Sequence, residues 1–194
     1  MEVVPFEDVT ADCAAEGDGT LAAWKKAHRK AFAAACEEIG IDFDERMKCV
    51  CHGNICRSVS AQYIFQDMVN RRGMAGEFLI DSAATSTEEI GNVIYPPMKA
   101  ALDRRGVPIG THRARQLRRS DYDAYNLLIG MDEENMFYMK RILGDDPEGK
   151  IHYLMEYSGR SDEIIDDPWY TRKFDACAAQ ITEGCDGLLA ETLA

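Results

Sequence analysis

The run Met47-Lys48-Cys49-Val50-Cys51-His52-Gly53-Asn54-Ile55-Cys56-Arg57-Ser58 constrains the fold of this chain more than any other stretch. It reads as a short strand, a tight loop and the first turn of a helix. Only five residues separate Cys51 from Arg57, so the loop must curl. In such a curl the backbone N–H groups can all point inward and form an anion nest. The helix that follows adds its positive N-terminal end. Gly53 is suited to φ > 0 and to close backbone approach, and Asn54 tolerates the left-handed region better than most residues. Arg57 can grip two oxygens of a phosphate with its planar fork. Cys51 then lies at the bottom of a positive bowl that favours the thiolate. A thiolate facing a bound phosphate is a nucleophile aimed at phosphorus, and Ser58 is positioned to donate a hydrogen bond to it. A Cys and an Arg six apart recur by chance in many proteins, so it is the strand before and the helix after that give the spacing weight. Of the seven cysteines, only Cys51 has an Arg at that offset.

The rest of the chain alternates strands with helices. Residues 1–20 are acidic and without periodicity. Leu21 to Ile39 reads as a helix whose Leu21, Trp24, His28, Phe32, Ala35 and Ile39 share a face. A cover packed on the domain is the plain reading of it, and a partner-binding helix the sharper one. Strands are expected at Glu45–Cys51, Phe78–Ser82, Asn126–Met131 and Lys150–Met155. Helices are expected at Ser58–Arg72, stopped by Gly73; at Pro97–Arg105, stopped by Gly106; at Asp132–Leu143; and at Thr171–Leu193, with Gly184 and Gly187 as points of interruption. Arg160–Tyr170 reads as an acidic loop. This order predicts an α/β fold of three layers, a four-stranded parallel sheet with helices on both faces. Residues 46–194 would form that domain and residues 1–45 an acidic N-terminal extension with one helix. The loop then falls at the C-terminal edge of the first strand, where open α/β sheets bind ligands.

A net charge of −12 argues against nucleic acid or an anionic membrane as partner. An acidic protein acting on phosphate needs a local positive pocket, which the nest supplies. Arg104, Arg105, Arg113, Arg115, Arg118 and Arg119 read as one basic neighbourhood, mostly solvated. No apolar run is long enough to span a membrane, and the N-terminus lacks the apolar core of a signal peptide. Seven irregularly spaced cysteines do not form a disulfide scaffold, and a reactive thiolate suits a reducing cytoplasm. The four histidines are scattered, so neither a metal site nor a cofactor is expected.

Cleaving a phosphate monoester takes a nucleophile, charge stabilisation and an acid for the leaving oxygen. Asp167 suits the last role because Pro168 holds the residue before it extended. Asp166 is its rival by adjacency, and on residues alone the pair reads as an ordinary acidic turn.

The run Val50 to Ser58 resembles the signature of the low-molecular-weight protein tyrosine phosphatases. The resemblance continues, in the family's order, at Asp81-Ser82-Ala83-Ala84-Thr85-Ser86, Glu89-Ile90-Gly91-Asn92, His112-Arg113-Ala114-Arg115-Gln116, Met131-Asp132-Glu133 with Asn135, and Asp167-Pro168-Trp169-Tyr170. It covers residues 46 to 194. It implies a phosphotyrosyl protein or peptide as substrate, phosphate or another oxyanion in the loop His52–Ser58, and a cysteinyl-phosphate intermediate. It makes Cys51 the nucleophile, Arg57 the phosphate grip and Asp167, not Asp166, the acid. Asn54, Ser58, Ser82 and His112 resemble the network that holds the loop, with Asp132 a supporting carboxylate. Trp169 and Tyr170 resemble the aromatic wall of the cleft. Cys56 resembles the second loop cysteine, which in the family can pair with the nucleophile and shield it from over-oxidation.

The chain departs from the family pattern at His52, at Glu88 where an aromatic is frequent, at Val59 and at Gln62. These bear on substrate choice. Three alternatives share the loop: a protein-arginine phosphatase, which Ile55 and Tyr170 disfavour; a thiol-dependent arsenate reductase, for which Cys177 and Cys185 are misplaced; and a phosphate-binding module without turnover.

Overall fold

The computed structural model describes residues 45–193. The helix expected at Leu21–Ile39 lies outside that range. Four parallel strands, β1 (Glu45–Cys51), β2 (Phe78–Ala84), β3 (Leu127–Gly130) and β4 (Ile151–Tyr153), form one sheet in the order β2-β1-β3-β4. The central strand β1 pairs along its whole length with β2, from Glu45 opposite Phe78 to Cys51 opposite Ala84. Its other edge pairs with β3, and β3 pairs with β4.

A strand with period-two side chains in a sheet covered on both sides must bury both sets. Met47, Cys49 and Cys51 face a core shared with helices α1 (Arg57–Arg71), α2 (Pro96–Arg104) and α6 (Phe174–Thr192). Val50 faces the opposite core, with Leu128, Tyr122 of the short helix α3 (Asp121–Ala124), and Met136, Met139 and Leu143 of α4 (Glu133–Leu143). The three layers follow from these two cores. Fully buried Phe65, Met98, Leu102, Leu128 and Ile129 each contribute roughly 1.5–3 kcal/mol relative to exposure.

Lys48 is the exception on β1. It is fully buried, yet its ammonium reaches Asp121 at 2.8 Å and Asp81 at 3.3 Å and lies 3.8 Å from the centre of the Tyr125 ring. Arg115 pairs with the same two carboxylates, at 2.7 Å to Asp81 and 3.3 Å to Asp121. A buried charge is tolerated only when paired in this way.

The structure corrects several expected boundaries. Strand β2 runs two residues further, to Ala84, because Cys51 still has a partner to pair with there. Strand β4 stops at Tyr153, where a 3-10 turn, Leu154–Ser158, takes over. The end of the expected acidic loop is helical: Pro168–Thr171 forms a turn, α5, and the closing helix α6 starts only at Phe174, with Arg172 at φ 60° between them. Gly184 and Gly187 do not interrupt α6. Helix α3 has no counterpart in the sequence reading. The basic neighbourhood divides by partner: Arg104 pairs with Asp175 of α6, Arg115 with Asp81 and Asp121, and Arg119 donates to the Leu143 carbonyl.

Candidate active site

The loop from Cys51 to Arg57 leaves β1 and enters α1, and five of its carbonyls are held by groups outside the loop. Cys51 O accepts from Thr85 N at 2.8 Å, and His52 O from Ser86 N at 3.0 Å. Asn54 O accepts from the His112 ring at 2.7 Å, Ile55 O from Tyr95 N at 2.9 Å and Cys56 O from Ser60 N at 3.1 Å. In a trans peptide the N–H points opposite to the carbonyl before it. The amides of His52, Gly53, Ile55, Cys56 and Arg57 are therefore turned the other way, which makes the nest.

Gly53 and Asn54 share the work differently from the expectation. The left-handed residue is Asn54, at φ 58°; Gly53 has no positive φ. Gly53 instead leaves room for its neighbour, since a Cβ there would crowd Glu89 Cγ at 3.0 Å. Asn54 pays for its backbone with its side chain. Its Nδ2 donates to Ser58 Oγ at 3.0 Å and to Ser82 Oγ at 2.8 Å, and its Oδ1 accepts from Arg115 N at 3.2 Å. These bonds set the direction of the chain. Ser82 receives from Asn54 and gives its proton to Gln62 Oε1 at 2.6 Å. Ser58 receives from Asn54, which leaves its own proton free for Cys51 Sγ, 3.0 Å away, when that sulfur is a thiolate. Of Cys51's surroundings, this hydroxyl is the group placed to hold a thiolate.

Arg57 is 1 % exposed. Its Nη1 is held from behind by Asp132 and by the Ile165 carbonyl, the latter at 2.9 Å. Its Nη2 donates to Asp167 Oδ2 at 2.6 Å, and its buried Nε has no hydrogen-bond partner among the described residues. Nε and Nη2 form one edge of the guanidinium, the edge that takes two oxygens of a phosphate. Burial alone would lower the Arg57 pKa, but the Cys51 sulfur, Asp167 and Asp132 outweigh it and push it up. Asp167 is fixed in turn by the start of α5, where its Oδ1 caps Trp169 N at 2.9 Å. Asp166 is exposed, and the contacts to Arg57 are made by its neighbour.

Trp169 and Tyr170 stand at the mouth, 41 % and 81 % exposed. Tyr95, which the sequence reading passed over, backs Trp169 with ring centres 5.0 Å apart. Arg172 lies over Trp169 and reaches the Tyr95 hydroxyl at 3.3 Å. Nothing beside Tyr95 in the sequence ties it to the loop; the prolines that follow it mark only the start of α2. In the loop, His52 bridges Glu88 at 3.2 Å and Glu134 at 3.7 Å. Glu88 and Glu89 line the same cleft as Cys51, Arg57, Asp167 and Trp169. The sequence residues Cys51 to Ser58, Ser82, Glu88, His112, Asp132, Asp167, Trp169 and Tyr170 are thus brought together around one cleft or directly behind it. Arg115, Gln62 and Glu134 join them.

Cys51 and Cys56 are both thiols. Burial pushes the Cys56 and Cys49 thiols up, and raises Cys177 to about 12. Among the described residues, no group of three or more His, Cys, Asp or Glu is placed to hold a metal ion.

A family model described as low molecular weight phosphotyrosine protein phosphatase matches residues 46–194. A second, described as an ASCH domain, matches residues 1–54. The low molecular weight protein-tyrosine-phosphatase YfkJ of Bacillus subtilis is 35 % identical over 142 residues, which are 73 % of this chain and 91 % of YfkJ. The low molecular weight phosphotyrosine protein phosphatase of Gallus gallus is 34 % identical over 144 residues, 72 % of this chain and 90 % of its own. The crystal structure of YfkJ superposes with a TM-score of 0.73, over 76 % of this chain and 93 % of that one. Through residues 46–194, the chain belongs to the low molecular weight phosphotyrosine protein phosphatase family.

Proposed function

We propose that residues 46–194 form a domain that hydrolyses phosphotyrosyl proteins or peptides, with Cys51 as nucleophile, Arg57 as phosphate grip and Asp167 as acid and then base. The junction of Arg57 with Asp167, over the loop that holds Cys51, carries this reading. Phosphate entering the nest competes with Asp167 for the Nε–Nη2 edge of Arg57. Once that edge turns to phosphate, Asp167 is released towards the leaving oxygen. The Cys51 thiolate attacks phosphorus, the P–O bond breaks, and the Asp167 proton passes to the leaving phenolate. Water then attacks the cysteinyl phosphate, Asp167 takes its proton, and the thiolate leaves towards the Ser58 hydroxyl. Asp132 and the Ile165 carbonyl keep the guanidinium in plane throughout. Asn54, Ser82 and His112 hold the loop. Trp169 and Tyr170 offer a flat wall to a phenyl ring, and Ile55 an apolar loop side chain. A thiolate of this kind calls for a reducing compartment such as the cytoplasm. No helix among the described residues is long and apolar enough to cross a membrane.

Phosphate release from a phosphotyrosyl and a phosphoarginyl peptide of one sequence tests the substrate class. Preference for the tyrosyl peptide is expected; preference for the arginyl peptide keeps the chemistry and moves the substrate. Cys51→Ser is expected to abolish turnover and the trapped phosphoenzyme, and normal activity of that variant would sink the reading. Asp167→Asn is expected to cost roughly 10²–10⁴-fold for a poor leaving group and far less for a nitrophenolate, which leaves without a proton.

A further inference from the structure

The cleft has one aromatic side and one acidic side. Trp169 and Tyr170 form the first, where the Arg172 guanidinium is engaged by the Trp169 face and the Tyr95 hydroxyl. The other side carries Glu88, whose side chain is 72 % exposed, and Glu134 in the first turn of α4, 54 % exposed. His52 lies between them and holds both carboxylates at the rim. Glu89 lines the same side, where its stem covers Gly53 and its carboxylate accepts from Asn92 Nδ2 at 2.6 Å. At the floor, the buried and unpartnered Nε of Arg57 marks where an oxyanion is taken. A phosphorylated side chain reaching that floor draws its own backbone, and the residues flanking it, across the rim.

We propose that Glu88 and Glu134 select phosphotyrosyl peptides carrying a lysine or arginine on the flank that crosses the His52 rim. This rests on the phosphatase reading and narrows its substrate class. An acidic flank is repelled by the same two carboxylates. The rim pairs stay in water, so the effect is a preference and not a requirement, and it acts chiefly on capture of the substrate.

Phosphotyrosyl peptides of one length, with lysine, alanine or glutamate at the positions flanking the phosphotyrosine, compared three at a time on each side separately, test it. On one side, kcat/KM is expected to rank lysine over alanine over glutamate, with about fivefold between the extremes, the ratio two ordinary exposed ion pairs give. The ratio is expected to fall towards one as salt shortens the Debye length from ~10 Å at ~0.1 M to ~3 Å at ~1 M. The E88Q/E134Q double variant is expected to bring it towards one at low salt. Equal hydrolysis of the three peptides, or a preference that survives in the double variant, overturns this proposal alone. Failure to hydrolyse any of them overturns the phosphatase reading, and this proposal with it.

Discussion

Asn54 has a backbone that most residues avoid and a side chain that makes three hydrogen bonds, while its carbonyl takes a fourth from His112. Two substitutions separate these contributions. Asn54→Gly relaxes φ but removes the amide; Asn54→Ala removes the amide and keeps the strain. Both free the Ser58 hydroxyl to turn away from Cys51, so both are expected to lower kcat by roughly 10- to 100-fold, the equivalent of one or two lost polar contacts at about 1–3 kcal/mol each. Stability should split them, with Asn54→Ala about 1–2 kcal/mol below Asn54→Gly because only the former carries a Cβ in the left-handed region. Initial rates on an aryl phosphate and urea unfolding of the two proteins measure both quantities. Equal kcat for Asn54→Gly and the unaltered protein would mean that the amide does not orient Ser58.

Helix α6 shows how an element can contradict its own composition. Gly184 and Gly187 are poor helix residues, yet the helix passes through both because the 3-10 turn Leu154–Ser158 lies against them. A Cβ on Gly184 would sit 2.6 Å from Leu154 Cγ and 3.0 Å from its carbonyl oxygen, and one on Gly187 would run into the Tyr157 carbonyl. Propensity predicts that Gly187→Ala gains about 1 kcal/mol. The backbone clash predicts the reverse, a net loss of roughly 1–3 kcal/mol, since overpacking against main chain cannot be relieved by a rotamer. Gly76, with nothing within 4 Å, serves as the control and should change by less than about 0.5 kcal/mol when made Ala. Urea midpoints of the two variants decide between the clash and the propensity. The same contact explains why the sequence misled at this point. The strand–loop–helix at Cys51 was legible because its signals are local: an apolar run, a Gly-Asn pair, an Arg at a fixed offset. The order of strands and helices was legible for the same reason. Asp167 was selected over Asp166 through resemblance, and its contact with Arg57, 110 residues away in sequence, has no local signature. Arg115, Gln62, Tyr95 and Glu134 act on the loop, the network or the rim from other elements, so nothing near them in sequence points to Cys51. Gly184 and Gly187 read as breaks because their partner is a turn some thirty residues upstream.

At the scale of the whole domain, the two faces of the sheet meet at the loop through the segment that carries His112 and Arg115. Arg115 is anchored in the buried cluster of Lys48, Asp81 and Asp121 and gives its backbone N–H to Asn54, while His112 donates from its ring to the Asn54 carbonyl. That donation needs Nε2–H but no charge. Burial lowers the His112 pKa below the usual imidazole range, against the raising influence of the Asn54 carbonyl and Asp81. The unfolded chain, with its imidazole near pKa ~6.5, therefore binds more protons than the native protein in the interval below that value. Stability rises with pH wherever the unfolded state holds the extra proton, so the contribution is complete above about pH 6.5 and is lost as the pH falls through the native pKa. Asp81, whose pKa is raised chiefly by burial, acts with the opposite sign at lower pH, since its native form keeps a proton that the unfolded chain has released. A His112→Gln variant retains a neutral donor and cannot titrate, so the difference between the two proteins reports the imidazole together with its coupling to Asp81. Unfolding free energies of the two, taken by urea at about pH 7.5 and at half-unit steps down to about pH 5, are expected to converge as the pH falls below about 6.5, because the unaltered protein loses stability that the variant does not. Curves that stay parallel through that interval would show that His112 charges as easily in the native protein as outside it, and that its ring is not held neutral against Asn54.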